Sequence, residues 1–177
     1  MAADRPTLGF IGIHAGRRLD QPVSQNETLA PLFERSGYTA RRASSYKWPP
    51  LRTLHQLWAL CSWRSVDALV IAVFSGRSFW IADFATLLGT RIGHRKVVLF
   101  MHGGNLPVFG PEHRKRVSRV FDRADLLLAP SDFLADVFRP WGYDVRTIPN
   151  VLALDRYRYE PRQAARPALM WMRTFHE

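Results

Sequence analysis

Val97 to Gly110 reads VVLFMHGGNLPVFG, an unbroken apolar run that stops on His102, two glycines, Asn105, Leu106 and Pro107. A half-exposed strand alternates apolar with polar residues, so an unbroken run suits a strand covered on both faces. Such strands belong to parallel α/β sheets. Ligands of these sheets sit beyond the carboxyl ends of the strands, where glycine lets backbone approach them and the next helix begins. His102, Gly103 and Gly104 therefore stand where a site is expected.

Strand and helix signals alternate on either side of this run. Leu8 to Ile13 reads as the first strand, and Ser24 and Glu27 have capping-box spacing ahead of a helix that runs to Ser36, with Gly37 as its stop and Pro31 bending it. Tyr38 to Ala43 is less apolar and predicts a strand near the sheet edge. The helix that follows puts Leu51, Leu54, Leu57, Trp58 and Cys61 on one stripe, which reads as core. Ala68 to Phe74 is the third strand; Ser75 and Gly76 open a helix in which Trp80, Phe84, Leu87 and Leu88 form a packing stripe. Lys96 to Met101 is the fourth strand, and Pro111 is expected to start a helix that turns Val117, Val120, Phe121 and Ala124 inward. Leu126 to Ala129 is the fifth strand, followed by a helix capped by Ser131 with Asp132 at its positive end. Val145 to Ile148 is the sixth. The pattern predicts an α/β fold, a Rossmann-like doubly wound, mostly parallel sheet, over residues 1–154.

Residues 155–177 do not fit that domain. DRYRYEPRQAARP is charged and proline-punctuated like a linker, and ALMWM after it is a lone strand, as if a second domain were beginning.

The chain has 177 residues, 47% of them hydrophobic, enough for one good core and no more than about one domain. Its single cysteine, Cys61, rules out an internal disulfide framework, suits a reducing compartment and reads as a small core residue. The amino terminus lacks a secretory pattern, and the longest apolar region, Ala68 to Phe74, is too short to span a bilayer, so a cytoplasmic protein is expected. The net charge of +10 calls for an anionic partner or solvated surface. Its densest cluster, HRKRVSR from His113 to Arg119, suits phosphates or acidic lipid headgroups at the inner face of the membrane. No recognition-helix, zinc-ligand or RNA-binding motif accompanies it, so no nucleic-acid partner is expected. No G-x-G-x-x-G follows the first strand, which weighs against a dinucleotide cofactor. No paired-carboxylate metal signature is present.

Three segments in order carry a family resemblance: HGGNLP after the fourth strand, RADLLLAPSDFLADVF across the fifth strand and its helix, and GYDVRTIPNVLALDRY at the sixth. Together they resemble the amino-terminal half of a retaining glycosyltransferase of family 4, of the two-Rossmann GT-B architecture. ALMWMRTFHE resembles the first strand and loop of that family's carboxyl-terminal domain, which holds the nucleotide sugar. The resemblance implies hexosyl transfer from a nucleoside diphosphate sugar, a co-substrate rather than a cofactor, to a sugar, lipid or other acceptor. It implies no catalytic metal. It also implies that this chain is inactive alone, with the other domain supplied by further sequence. The alternative is a non-catalytic binding half of a split glycosyltransferase that docks with a separate catalytic subunit.

The resemblance further assigns residues. His102 is the catalytic candidate, its family counterpart lining the sugar site. Gly103, Gly104 and Asn105 belong to the same acceptor-side loop. Gly12, His14 and Gly16 resemble the family's loop after the first strand, where small residues leave room near the transferred phosphate. Arg173 matches a phosphate-binding arginine, whose fork suits bidentate contact. Ser131 reads as a helix cap and Asn150 as structural.

Overall fold

Six short strands lie side by side in the order β2-β1-β3-β4-β5-β6. In this computed structural model, which describes residues 5–12, 14, 24–46, 48–92, 96–152 and 161, they are β1 (Thr7–Ile11), β2 (Thr39–Ala43), β3 (Ala68–Val73), β4 (Lys96–Met101), β5 (Leu126–Ala129) and β6 (Val145–Thr147). Every neighbouring pair is parallel, so the α/β fold is Rossmann-like and doubly wound, with a sheet more uniform than the mostly parallel one expected. Parallel neighbours need crossovers, supplied by α1 (Gln25–Arg35), α2 (Pro49–Ser62), α3 (Phe79–Arg91), α4 (Leu106–Glu112), α5 (Arg114–Phe121) and α6 (Asp132–Phe138).

Chain winding explains where the helices lie. The chain steps from β1 outward to β2, then crosses back to β3 and proceeds to β6. Because crossovers are right-handed, the reversal puts α1 on one face and the later helices on the other. Core composition agrees. Leu8, Phe10 and Val70 pack with Ala30 of α1, and Leu29 and Phe33 lie against them. The alternate strand residues Ile11, Leu69, Ile71, Val97, Leu99, Met101 and Leu127 pack with residues of α2 to α6. Among the described residues, α1 is the one helix on its face. The reversal falls between β1 and β3, and in open α/β sheets ligands bind outside the carboxyl ends of the strands at such a point.

Local signals work as the sequence suggests at several ends. Ser24 accepts from the Glu27 amide while the Glu27 carboxylate accepts from the Ser24 amide at 2.9 Å, a complete capping box. Ser131 caps α6 through the Leu134 amide. β2 is an edge strand and largely exposed.

Three expectations need correction. The helix expected to start at Pro111 is two helices: α4 begins at Leu106 directly after the glycines, with Pro107 in its first turn, where a missing N–H leaves nothing unpaired, and α5 follows His113. The stripe of α2 read as core faces solvent instead. Leu51, Leu54, Trp58 and Cys61 are exposed, Leu57 is half-buried, and Gln56, Ala59, Leu60 and the following Trp63 face the sheet. In α3 the buried row is Phe79, Ala82, Ala85, Thr86 and Gly89; of the expected stripe, Trp80, Leu87 and Leu88 are half-buried, Leu88 against the core, and Phe84 is exposed. The cause is the same in both helices. Close approach of a helix to a sheet favours small residues such as alanine and glycine, and periodicity weighted by side-chain size selects the opposite side.

Candidate functional site

Three side chains pin the end of β1. Asn26 of α1 donates through Nδ2 to the Ile11 carbonyl at 3.3 Å, and Gln56 of α2 donates through Nε2 to the Gly12 carbonyl at 2.9 Å. His14 Nε2 lies 3.2 Å from the Phe10 carbonyl. A carbonyl only accepts, so each contact fixes its side chain: the amides must turn nitrogen inward, and the imidazole must carry its proton on Nε2. Burial lowers the His14 pKa to about 4, outweighing the Phe10 carbonyl and Glu27, so the ring is neutral at pH 7. What each side chain has left is an acceptor. Among the described residues, Asn26 Oδ1, Gln56 Oε1 and His14 Nδ1 are all buried without a hydrogen-bond partner. Asn26 and Gln56 are only 2% and 3% exposed, so these bare acceptors are costly unless a water or a ligand donates to them.

Gly12 fits tightly between these groups. Its amide donates to the Ala43 carbonyl and its carbonyl accepts from the Ser44 amide, both at 2.8 Å, and the His14 amide donates to the Ser44 carbonyl at 2.9 Å. A Cβ on Gly12 would lie 2.8 Å from Asn26 Nδ2, so a side chain there would dislodge the amide.

At the end of β4, His102 donates its amide to the Val73 carbonyl of β3 at 2.7 Å. Its ring stacks on Phe74, with centroids 5.6 Å apart, and tilts against Phe100 at 4.4 Å. Burial lowers its pKa to about 4, so this second imidazole is also neutral at pH 7. A neutral ring offers one donor and one acceptor, and among the described residues no side chain hydrogen-bonds it. Gly103 follows at φ +104°, a conformation that disfavours every residue with a Cβ. Gly104 and Asn105 are exposed at the start of α4, and Asn105 makes no side-chain cap bond.

The structure thus places Gly12 and His14 at the carboxyl end of β1, and His102, Gly103, Gly104 and Asn105 at that of β4, with β3 between them. Gly16, Arg173 and, apart from Pro161, the linker and terminal strand of residues 155–177 lie outside the described residues. Sequence reasoning missed Asn26, Gln56 and Phe74. Gln56 left a trace: it interrupts the row of α2 that carries Ala59, Leu60 and Trp63, a polar residue where only apolar ones should face a sheet.

Part of the basic cluster is used within the fold. Arg116 and Arg123 both pair with Asp83 of α3, at 3.4 and 2.9 Å, and Arg114 lies over the Trp141 ring at 4.9 Å. Lys115 and Arg119 stay at the surface of α5. Among the described residues no group of His, Cys, Asp and Glu could hold a metal ion, and no helix is long and apolar enough to cross a membrane.

Fold and edge together define a class: a Rossmann-like, doubly wound α/β protein with a neutral imidazole at the carboxyl end of β1 and another at that of β4. No protein-family model matches the chain, and no curated protein is detectably similar to it in sequence.

Proposed function

We propose that the chain is the amino-terminal, acceptor-side domain of a retaining glycosyltransferase of the GT-B type, working with a second domain that holds a nucleoside diphosphate sugar. The observation that carries this reading is the chemistry left over at the carboxyl edge: neutral His102 seated on Phe74 and Phe100, and unpartnered acceptors around Gly12. A phosphate presents acceptors and would meet acceptors there. A polyol presents O–H donors, which a neutral imidazole and such acceptors can receive. On this reading the β1 end faces hydroxyl groups of the acceptor, where the family resemblance implies the transferred phosphate for Gly12, His14 and Gly16.

In the reaction, the bond from the anomeric carbon to the diphosphate oxygen breaks and a bond from an acceptor hydroxyl forms on the same face, the hydroxyl proton leaving with the diphosphate. His102 would orient a sugar hydroxyl as the oxocarbenium-like centre develops, a task for a preorganised neutral group rather than a nucleophile. Contact with acidic lipid at the inner membrane face through Lys115 and Arg119 belongs to the same reading.

Histidine-resolved NMR of the 177-residue chain tests it. A panel of simple glycosides is expected to shift the His14 and His102 ring signals, and inorganic phosphate to leave them in place. Shifts with phosphate and none with any glycoside would remove the reading. Transfer assays with the chain alone are expected to show no turnover.

A further inference from the structure

We infer that α2 docks on a bilayer bearing anionic headgroups, through the apolar stripe that it turns to solvent. Leu51, Leu54, Trp58 and Cys61 follow one another at spacings of three and four, which places them on one side of a helix. Leu54 and Trp58 are 62% and 63% exposed, and Trp48, just before the helix, is 64% exposed. Single exposed apolar residues are ordinary, but α2 has two apolar sides: Ala59 and Leu60 lie with Gln56 against the sheet, while Leu51, Leu54 and Trp58 form a second stripe that faces solvent. The patch continues past α2. A shallow groove lined by Leu57, Leu60 and Trp80 leads to Phe84 of α3, itself exposed.

Charge selects the occupant. From Arg35 to Val66 the sequence contains no Asp or Glu, while Lys47, Arg52 and Arg64 stand just before, within and just after the helix. Among the described residues, neither Arg52 nor Arg64 forms an ion pair. A helix that presents tryptophan and leucine along one side and cations around them has the pattern of one lying in the plane of a bilayer. Trp48 and Trp58 are the residue type that settles at headgroup depth, and the cations favour anionic lipid. A second copy of this chain would bring the same cations against themselves, and a protein partner would need carboxylates to answer them.

Gln56 lines the groove and also holds the Gly12 carbonyl, but among the described residues Leu54 and Trp58 touch nothing of the carboxyl-edge site, so a test on them does not depend on the glycosyltransferase reading. The 177-residue chain is mixed with vesicles of equal parts phosphatidylglycerol and phosphatidylcholine, and with phosphatidylcholine alone, and sedimented. Binding is expected to the first and far less to the second. The double variant Leu54→Ser, Trp58→Ser should weaken it by about tenfold or more, because it removes the apolar part of the contact. Both residues are exposed, so the variant should keep its circular dichroism and unfolding midpoint, which are measured on the same sample. A concentration-dependent dimer that the double variant abolishes, without vesicle binding, would overturn the proposal in favour of a second copy. Vesicle binding that survives the double variant but is lost in Lys115→Glu, Arg119→Glu would also overturn it, and so would no binding to either vesicle.

Discussion

Gln25 and Val151 hold each other in a two-bonded clasp. The Val151 amide donates to Gln25 Oε1 at 2.9 Å, and Gln25 Nε2 lies 3.5 Å from the Val151 carbonyl. Gln25 is the first residue of α1, and Val151 follows β6 on the far side of the sheet. Just before the clasp, the Ile148 amide donates to the Ala129 carbonyl of β5 at 2.9 Å. Between these anchors the chain must pass the end of β4, where His102 lies. The clasp therefore ties the exit segment to the border of the candidate site.

Gln25→Ala should release that segment. The stability cost is expected to be about 1 kcal/mol, the net worth of ordinary hydrogen bonds at a part-buried site. Amide exchange at Val151 is the sharper measurement, and it should accelerate well beyond what the global change explains. Gln25→Glu keeps the acceptor for the Val151 amide and should retain most of the protection.

The two glycines after His102 should respond differently to alanine. Gly103 has φ +104°, so Gly103→Ala is expected to cost about 1–2 kcal/mol in strain. Gly104 has nothing within 4 Å of an added Cβ and no positive φ, so Gly104→Ala should stay within about 0.5 kcal/mol of the parent. Urea unfolding of the pair compares them, and equal costs would mean that the turn is not what selects Gly103.

Much of this architecture was legible because it depends on local chemistry. Apolar runs such as Val97 to Met101 state burial on both faces, and Ser24 with Glu27, or Ser131 alone, state where a helix starts. The orientation of α2 was not legible, because two of its sides are apolar and only the sheet can choose between them. The pins at β1 were hidden for a different reason. A buried amide such as Asn26 looks like a surface one until the carbonyl it serves is known, and the clasp joins residues 126 positions apart. His102 and its glycines could be placed at a strand end from sequence, but the platform of Phe74 and Phe100 needed the neighbouring strand.

Acid should weaken the fold through the two histidines. Each ring has its pKa lowered by burial from 6.5 to about 4. Between those values the unfolded chain binds more protons than the folded one, so stability is full above about pH 6.5 and falls as pH drops toward 4. The shift corresponds to roughly 3 kcal/mol per ring as an upper limit, since neither ring is fully cut off from water. His102→Phe should flatten the decline over this window relative to the parent, with carboxylate titration common to both proteins. An unchanged slope in the variant would mean that His102 titrates near its ordinary value.

Asn26→Asp should give a pH dependence of opposite sign, which isolates the pin at β1 from the histidines. The substitution keeps the side chain's shape but replaces Nδ2, which donates to the Ile11 carbonyl at 3.3 Å, with an oxygen. Ionised, the new carboxylate has no proton to give and faces a carbonyl in a buried site, at a cost of about 2–4 kcal/mol. Protonated, it donates to Ile11 as the amide does. Its pKa in the folded state is therefore raised, and the stability that the proton confers is present below the unfolded value, about 3.9, and lost as pH rises through the folded one. Measured against the parent at each pH, the variant should be strongly destabilised at neutrality and nearly matched to it in acid. A penalty of the same size at both ends would show that the Ile11 carbonyl does not depend on a proton from residue 26.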